Sequence, residues 1–124
     1  MRALRNTYRY LQSGGTFRLV VPDLEQLVQS YLASSVDEPG NWLMEVSGLG
    51  RTRRPRTLRD LLVEWLGNSA HLWLWDEKSL ASVLRKAGFT QIRRASFGDA
   101  SDLRFSDVED PARFEGCLAM QCVK

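Results

Sequence analysis

The chain has 124 residues, of which 44% are hydrophobic and 26% are charged, a balance typical of a globular domain and not of a disordered chain. The length fits one domain over residues 1–124, and a complete doubly wound nucleotide-binding sheet would be very cramped in it. Seventeen basic and fifteen acidic residues give a net charge of +2, which argues against a general nucleic-acid binder. No apolar run approaches the roughly 20 residues of a membrane span, so no membrane association is expected.

Helices and strands alternate at the start of the sequence. An apolar stripe predicts a helix over 2–11, which Gly14-Gly15 ends. The aromatic and β-branched residues of 17–21 predict a strand, and Pro22 stops it. Asp23 then has the side chain and position of an N-cap for a second helix over 24–32.

The middle of the chain has the least regular pattern. Its glycines and prolines predict a flexible loop or insertion over 34–56. An amphipathic helix is expected over 58–66, followed by the apolar connector His71-Leu72-Trp73-Leu74-Trp75.

The last third of the sequence carries clearer signals. Asp76 and Gly88 stand where the two caps of a helix over 77–87 belong. Strands are predicted over 91–97 and 117–123, and Asp110-Pro111 is expected to start one helical turn between them.

Cysteine and histidine are scarce in this sequence. If Cys117 and Cys122 lie on one strand, about 16 Å and opposite faces separate them, which is too far for a disulfide. Two cysteines and one histidine are also too few for a standard zinc site. We therefore predict a reduced, cytoplasmic chain without a metal.

Two charged segments stand out. An arginine cluster could hold a phosphate or an acidic partner, although a solvated loop explains it as well; its members are Arg51, Arg53, Arg54 and Arg56, with Arg59 beyond them. The acidic stretch 99–115 has no calcium-loop spacing and is interpreted as solvated surface. His71 has no recognisable nucleophile partner, and its simplest role is structural.

Taken together, these segments resemble the C-terminal half of a class I S-adenosylmethionine-dependent methyltransferase, in the branch labelled methyltransferase type 11. The family has a helix ending in an "LkPGG" turn, then a strand and "PDL"; this chain has Leu11-Gln12-Ser13-Gly14-Gly15 and Pro22-Asp23-Leu24. The family then has a histidine, a hydrophobic pair, an acidic cap and "aGF", which His71 to Asp76 and Ala87-Gly88-Phe89 match. Ser13 replaces the proline of the turn and loosens it.

The resemblance implies a partial Rossmann-like fold with a small three-stranded mixed sheet. Segments 17–21, 91–97 and 117–123 would be the family's strands five, six and seven, with strand seven antiparallel between the other two. His71, Trp73 and Trp75 would lie towards the side that faces the methyl acceptor.

The same resemblance implies S-adenosyl-L-methionine as the family's cofactor, but no residue of this chain matches its binding site. The glycine-rich loop and the acidic ribose ligand belong to an N-terminal half that the sequence does not contain. We therefore expect a truncated methyltransferase that binds no cofactor and is inactive alone. The alternatives are a non-enzymatic oligomerising or partner-binding module derived from that fold, and an unrelated small α/β domain.

A partner is expected on either interpretation, because strand 17–21 would lack its neighbour and present an open edge. The partner would be a second copy in a homodimer or the missing N-terminal half. The interface would include strand 17–21 or the helices at 24–32 and 58–66, unless the loop at 34–56 covers that surface.

Overall fold

The structure is a computed structural model that describes residues 2–49, 57–59, 62 and 73–124. The chain folds as two compact units. The first unit contains Met1–Gln26 and Trp75–Lys124, and the second contains Leu27–Leu74. The sheet and the hydrophobic core both lie in the first unit.

Four α-helices and three strands are present in the described ranges, which confirms an α/β chain. The helices are α1 (Arg2–Tyr10), α2 (Leu24–Ala33), α3 (Pro39–Ser47) and α4 (Glu77–Ala87). The strands are β1 (Thr16–Pro22), β2 (Thr90–Arg94) and β3 (Cys117–Val123), with 3₁₀ turns at Leu103–Asp107 and Pro111–Arg113.

The strands form one sheet in the order β1-β3-β2. The predicted central position of 117–123 and its antiparallel pairing with both neighbours are confirmed. The predicted mixed sheet is wrong, since β1 and β2 run in the same direction but β3 separates them, and the three described strands form no parallel pair. Strand β2 ends at Arg94, earlier than the predicted boundary at 97, although the Ala95 N–H still donates to the Ala119 carbonyl of β3 at 2.9 Å.

One face of the sheet carries the core. Leu118, Met120 and Cys122 of β3 alternate along the strand and are almost fully buried against α4. Phe89 follows α4 and is packed between two rings, with centroid distances of 5.2 Å to Tyr8 of α1 and 5.6 Å to Phe17 of β1. Helices α1 and α4 therefore cover the same face of the sheet.

The predicted caps of α4 are confirmed. The Asp76 carboxylate accepts a hydrogen bond of 2.9 Å from the Ser79 backbone N–H and a second one, of 2.7 Å, from the Ser79 hydroxyl. The hydrogen bond from the hydroxyl, and then that from the N–H, lower the pKa of Asp76. Gly88 has φ 107°, a left-handed conformation that closes the helix. A Cβ atom at Gly88 would lie 2.9 Å from Cζ of Tyr8, so glycine is also required by the packing of α1.

The segment 34–56 was predicted to be a loop, but α3 occupies part of it. Pro39 is tolerated in the first helical turn because its missing N–H has no acceptor there, and Gly48 closes the helix with φ 67°. Pro39 and Gly48, which favour a loop in the sequence pattern, therefore mark the two ends of a helix. The helix predicted over 58–66 lies largely outside the described residues.

Candidate functional site

Three polar side chains cross the sheet on the face opposite the core. Arg18 of β1 pairs in register with Gln121 of β3, which pairs in turn with Arg93 of β2. The segment that follows β2 folds back over this row and supplies Ser96, Asp99 and Glu109. We call these six residues the Arg18 cluster.

The guanidinium of Arg18 has four acceptors. Nε donates to Oε1 of Glu109 at 2.6 Å, and Nη1 donates to Oδ1 of Asp99 at 2.7 Å and to Oε1 of Gln121 at 2.6 Å. Nη2 donates to the Ser96 backbone carbonyl at 2.9 Å. The side chains of Arg18 and Glu109 are only 5% and 8% exposed, so water screens their attraction weakly.

Arg93 completes the charge balance. Its guanidinium donates to the Asp99 carboxylate, and Nη2 also donates to the Gln121 carboxamide oxygen at 3.0 Å. Hydrogen bonds from Arg93, and then from Arg18, hold the pKa of Asp99 well below its usual range. Two arginines thus face two carboxylates, and Asp99 stays ionised at neutral pH, which makes it unsuited to proton transfer.

A second polar junction lies where β1 ends. The Asp23 carboxylate is buried; Oδ1 accepts from the Glu25 backbone N–H at 3.0 Å, and Oδ2 accepts from Nη2 of Arg94 at 2.8 Å. The Leu24 N–H donates to the Trp75 carbonyl at 3.0 Å. The predicted N-cap is confirmed, and the same carboxylate ties the end of β1 to the end of β2.

Two open recesses lie beside β1, and Phe105 and Val108 line both of them. The larger, of about 490 Å³, extends from Tyr10 and Thr16 to the Asp102–Arg104 ion pair. The smaller, of about 260 Å³, lies beside Arg18, Leu19 and Val20. Its other walls are formed by Phe105, Val108, Glu109, Asp110, Arg113 and Phe114.

Of the residues predicted for a site, the structure describes Trp73 and Trp75. His71 and the arginines Arg51, Arg53, Arg54 and Arg56 lie outside the described residues. Trp73 is 68% exposed, while Trp75 is half-buried and packs against the core. Their acceptor-side role stays a prediction.

The acidic stretch 99–115 was interpreted as solvated surface, and for Glu109 this is wrong, because its side chain is 8% exposed and pairs with Arg18. Asp99 also pairs with Arg18, but its side chain is 33% exposed and stays in contact with water. A buried arginine in the middle of a strand needs such partners, because an unpaired buried charge is costly. The sequence signal that could have predicted this pairing was an arginine between apolar strand residues, together with an acidic stretch far downstream.

The cysteines are confirmed as free thiols. Burial raises the pKa of Cys122 to about 11, so this thiol is unreactive at neutral pH. In the part of the chain that is described, no cluster of His, Cys, Asp and Glu could hold a metal ion. That part also contains no helix with the length and apolar character to cross a membrane.

No protein-family model, curated protein or solved structure matches this chain. The methyltransferase resemblance therefore stays a prediction from the sequence motifs.

Proposed function

We propose that this chain forms the acceptor-side part of a class I S-adenosylmethionine-dependent methyltransferase fold and does not bind the methyl donor by itself. The observation that carries the proposal is the strand order β1-β3-β2, with β3 antiparallel to both neighbours. It is the order that the sequence resemblance implies for strands five, seven and six.

The junction at Asp23 supports the same proposal. Ligands of open α/β sheets bind beyond the carboxyl ends of the strands, and Asp23 follows the carboxyl end of β1 directly. Because two backbone amides and Arg94 occupy its carboxylate, Asp23 shapes this end of the sheet and takes no part in proton transfer. Trp75, joined to Asp23 by a β-bridge, is the nearest candidate for contact with an acceptor.

No cofactor-binding residue is proposed in this chain. The strand-to-helix turn after β1 is Pro22-Asp23, without the glycines that let a backbone approach a nucleotide. The donor, S-adenosyl-L-methionine, would be held by the other half, and the arginine cluster at 51–56 stays a hypothesis for an anionic group of the acceptor.

Calorimetry with two proteins tests the proposal. The 124-residue chain alone should show no saturable binding of S-adenosyl-L-methionine. A fusion that places the cofactor-binding half of a class I methyltransferase before α1 should bind one donor and unfold in one transition. The Val20→Pro variant of the fusion is the control, because a proline there would separate the two halves of the sheet.

Two outcomes would contradict the proposal. Micromolar binding by the chain alone would place a donor site within it. A fusion whose halves unfold independently would show that β1 does not complete a methyltransferase sheet.

A second candidate is the non-enzymatic interaction module. The observation that favours it is the mutual neutralisation in the Arg18 cluster, where two arginines and two carboxylates satisfy one another and leave no group poised for catalysis.

A further inference from the structure

Within the described ranges, the backbone groups on the outer edge of β1 have no hydrogen-bonding partner. The Lys124 N–H donates to the Gly15 carbonyl at 3.0 Å. In an antiparallel pair every second residue directs its N–H and C=O to the neighbouring strand, so Phe17 and Leu19 direct theirs towards β3. Thr16, Arg18 and Val20 direct theirs to the opposite side. Among the described residues, no strand pairs with that side of β1.

The two outer edges of the sheet differ in how they resist pairing. Strand β2 has a register shift between Thr90 and Arg93, a positive φ of 48° at Gln91, and two consecutive arginines at its end. Bulges and charges of this kind are the usual protection of an exposed edge. Strand β1 pairs regularly over seven residues, and Arg18 is its one charged residue.

We propose that the edge of β1 binds the β1 strand of a second copy of the chain, antiparallel and with the two-fold axis at Arg18. In this register Thr16 faces the partner's Val20, and Arg18 faces the partner's Arg18. The three hydrogen-bonded pairs would form about six hydrogen bonds, and none needs the N–H that Pro22 lacks. Shifting the register by two residues would place Thr16 opposite Pro22 and lose a donor at each end.

Charge does not oppose this register. Like charges directly opposite each other are ordinarily destabilising, but Asp99 and Glu109 neutralise each Arg18 within its own copy. The larger recess carries one acidic and one basic side chain, Asp102 and Arg104. The smaller recess carries two of each, Glu109 and Asp110 with Arg18 and Arg113. A partner strand therefore meets no excess of one sign.

Strand pairing alone would bury less than the roughly 1,200 Å² of a stable interface. The walls of the larger recess can supply the rest, because Tyr10 is 85% exposed and Val108 is 78% exposed, with Leu103 at 83% on the intervening turn. A second copy would cover these apolar side chains, whose exposure is high for a soluble surface.

Sedimentation velocity of the 124-residue chain tests the proposal at micromolar concentration. The wild-type chain should have twice the mass of one copy. The Val20→Pro variant removes an outward N–H without touching the β1–β3 ladder, and it should weaken dimerisation about tenfold or more. Val20→Ala is the matched control, since it shortens the same side chain and keeps the N–H, and it should stay dimeric.

A second pair of variants decides the matter if Val20→Pro does not fold. Thr16 and Thr90 both pair with Val123, on opposite sides of β3. Thr16→Lys places a charge on the proposed interface and should weaken the dimer, whereas Thr90→Lys places it on the other edge and should not. A monomeric wild-type chain, a folded Val20→Pro variant that stays dimeric, or equal effects of the two lysines would overturn the proposal.

This inference does not rest on the methyltransferase proposal. A fused donor-binding half would pair with the same edge of β1 and displace the second copy, so dimerisation is tested on the 124-residue chain alone. Failure of the dimer is seen in the mass, and failure of the methyltransferase proposal is seen in donor binding.

Discussion

Replacing Arg18 by methionine should destabilise the first unit more than the same change at any other arginine of that unit. The change removes four hydrogen bonds and leaves the Glu109 carboxylate, which is 8% exposed, without its ion-pair partner. Methionine keeps much of the apolar volume that packs near Phe105, so the loss is chiefly electrostatic.

The size of the effect follows from burial. Removing one partner of a buried ion pair typically costs about 3–5 kcal/mol, because the other charge stays desolvated and unpaired. Asp99 adds less to the loss, since it is 33% exposed and keeps Arg93. We therefore expect Arg18→Met to lower the free energy of unfolding by about 3–5 kcal/mol, out of the 5–15 kcal/mol that is typical for a domain.

Arg104 is the matched control. It also forms an ion pair, with Asp102 at 2.6 Å, but its side chain is 89% exposed. Exposed pairs contribute about 1 kcal/mol or less, so Arg104→Met should be nearly neutral. The double variant Arg18→Met with Glu109→Met should recover part of the loss, because no unpaired charge then stays buried.

Urea unfolding followed by circular dichroism measures all four proteins. If the two single arginine variants had the same midpoint, the buried cluster would contribute no more than a surface pair. If the double variant were less stable than Arg18→Met, an unpaired Glu109 would not be the source of the loss. Either result would refute the reasoning.

Two further predictions concern pH and the caps of α4. Hydrogen bonds from Arg93 foremost lower the pKa of Asp99, so its stabilising contribution is complete above about pH 4 and is lost as the pH falls further; an acid titration of unfolding should therefore be flatter for Asp99→Asn than for wild type. Asp76→Ala should lower the melting temperature slightly through its lost cap. Gly88→Ala should lower it more, by a loss of more than about 1 kcal/mol, because a Cβ there meets Tyr8 at positive φ. Equal melting temperatures of the last two variants would contradict the steric argument.

The sequence predicted local structure correctly where a few neighbouring residues fix the backbone conformation. Asp76 and Gly88 marked both ends of α4, and Asp110-Pro111 marked a short helical turn, because caps and proline act within one turn. The strand segments were also found, since alternation and β-branched residues act locally. Pro39 and Gly48 misled for the same reason, as each is compatible with either a loop or a helix end.

The sequence by itself located α1, α2, α4 and the three strands but not α3, while the tertiary structure decided which charges are buried. Arg18 lies 81 residues from Asp99 and 91 from Glu109, and no periodicity connects positions so far apart. Arg18 and Glu109 leave water together only when β3 lies between β1 and β2 and the segment that follows β2 covers Arg18. Once desolvated, the two charges have to pair, because an unpaired buried charge is costly. An acidic segment that the sequence pattern assigns to solvated surface therefore covers a buried arginine.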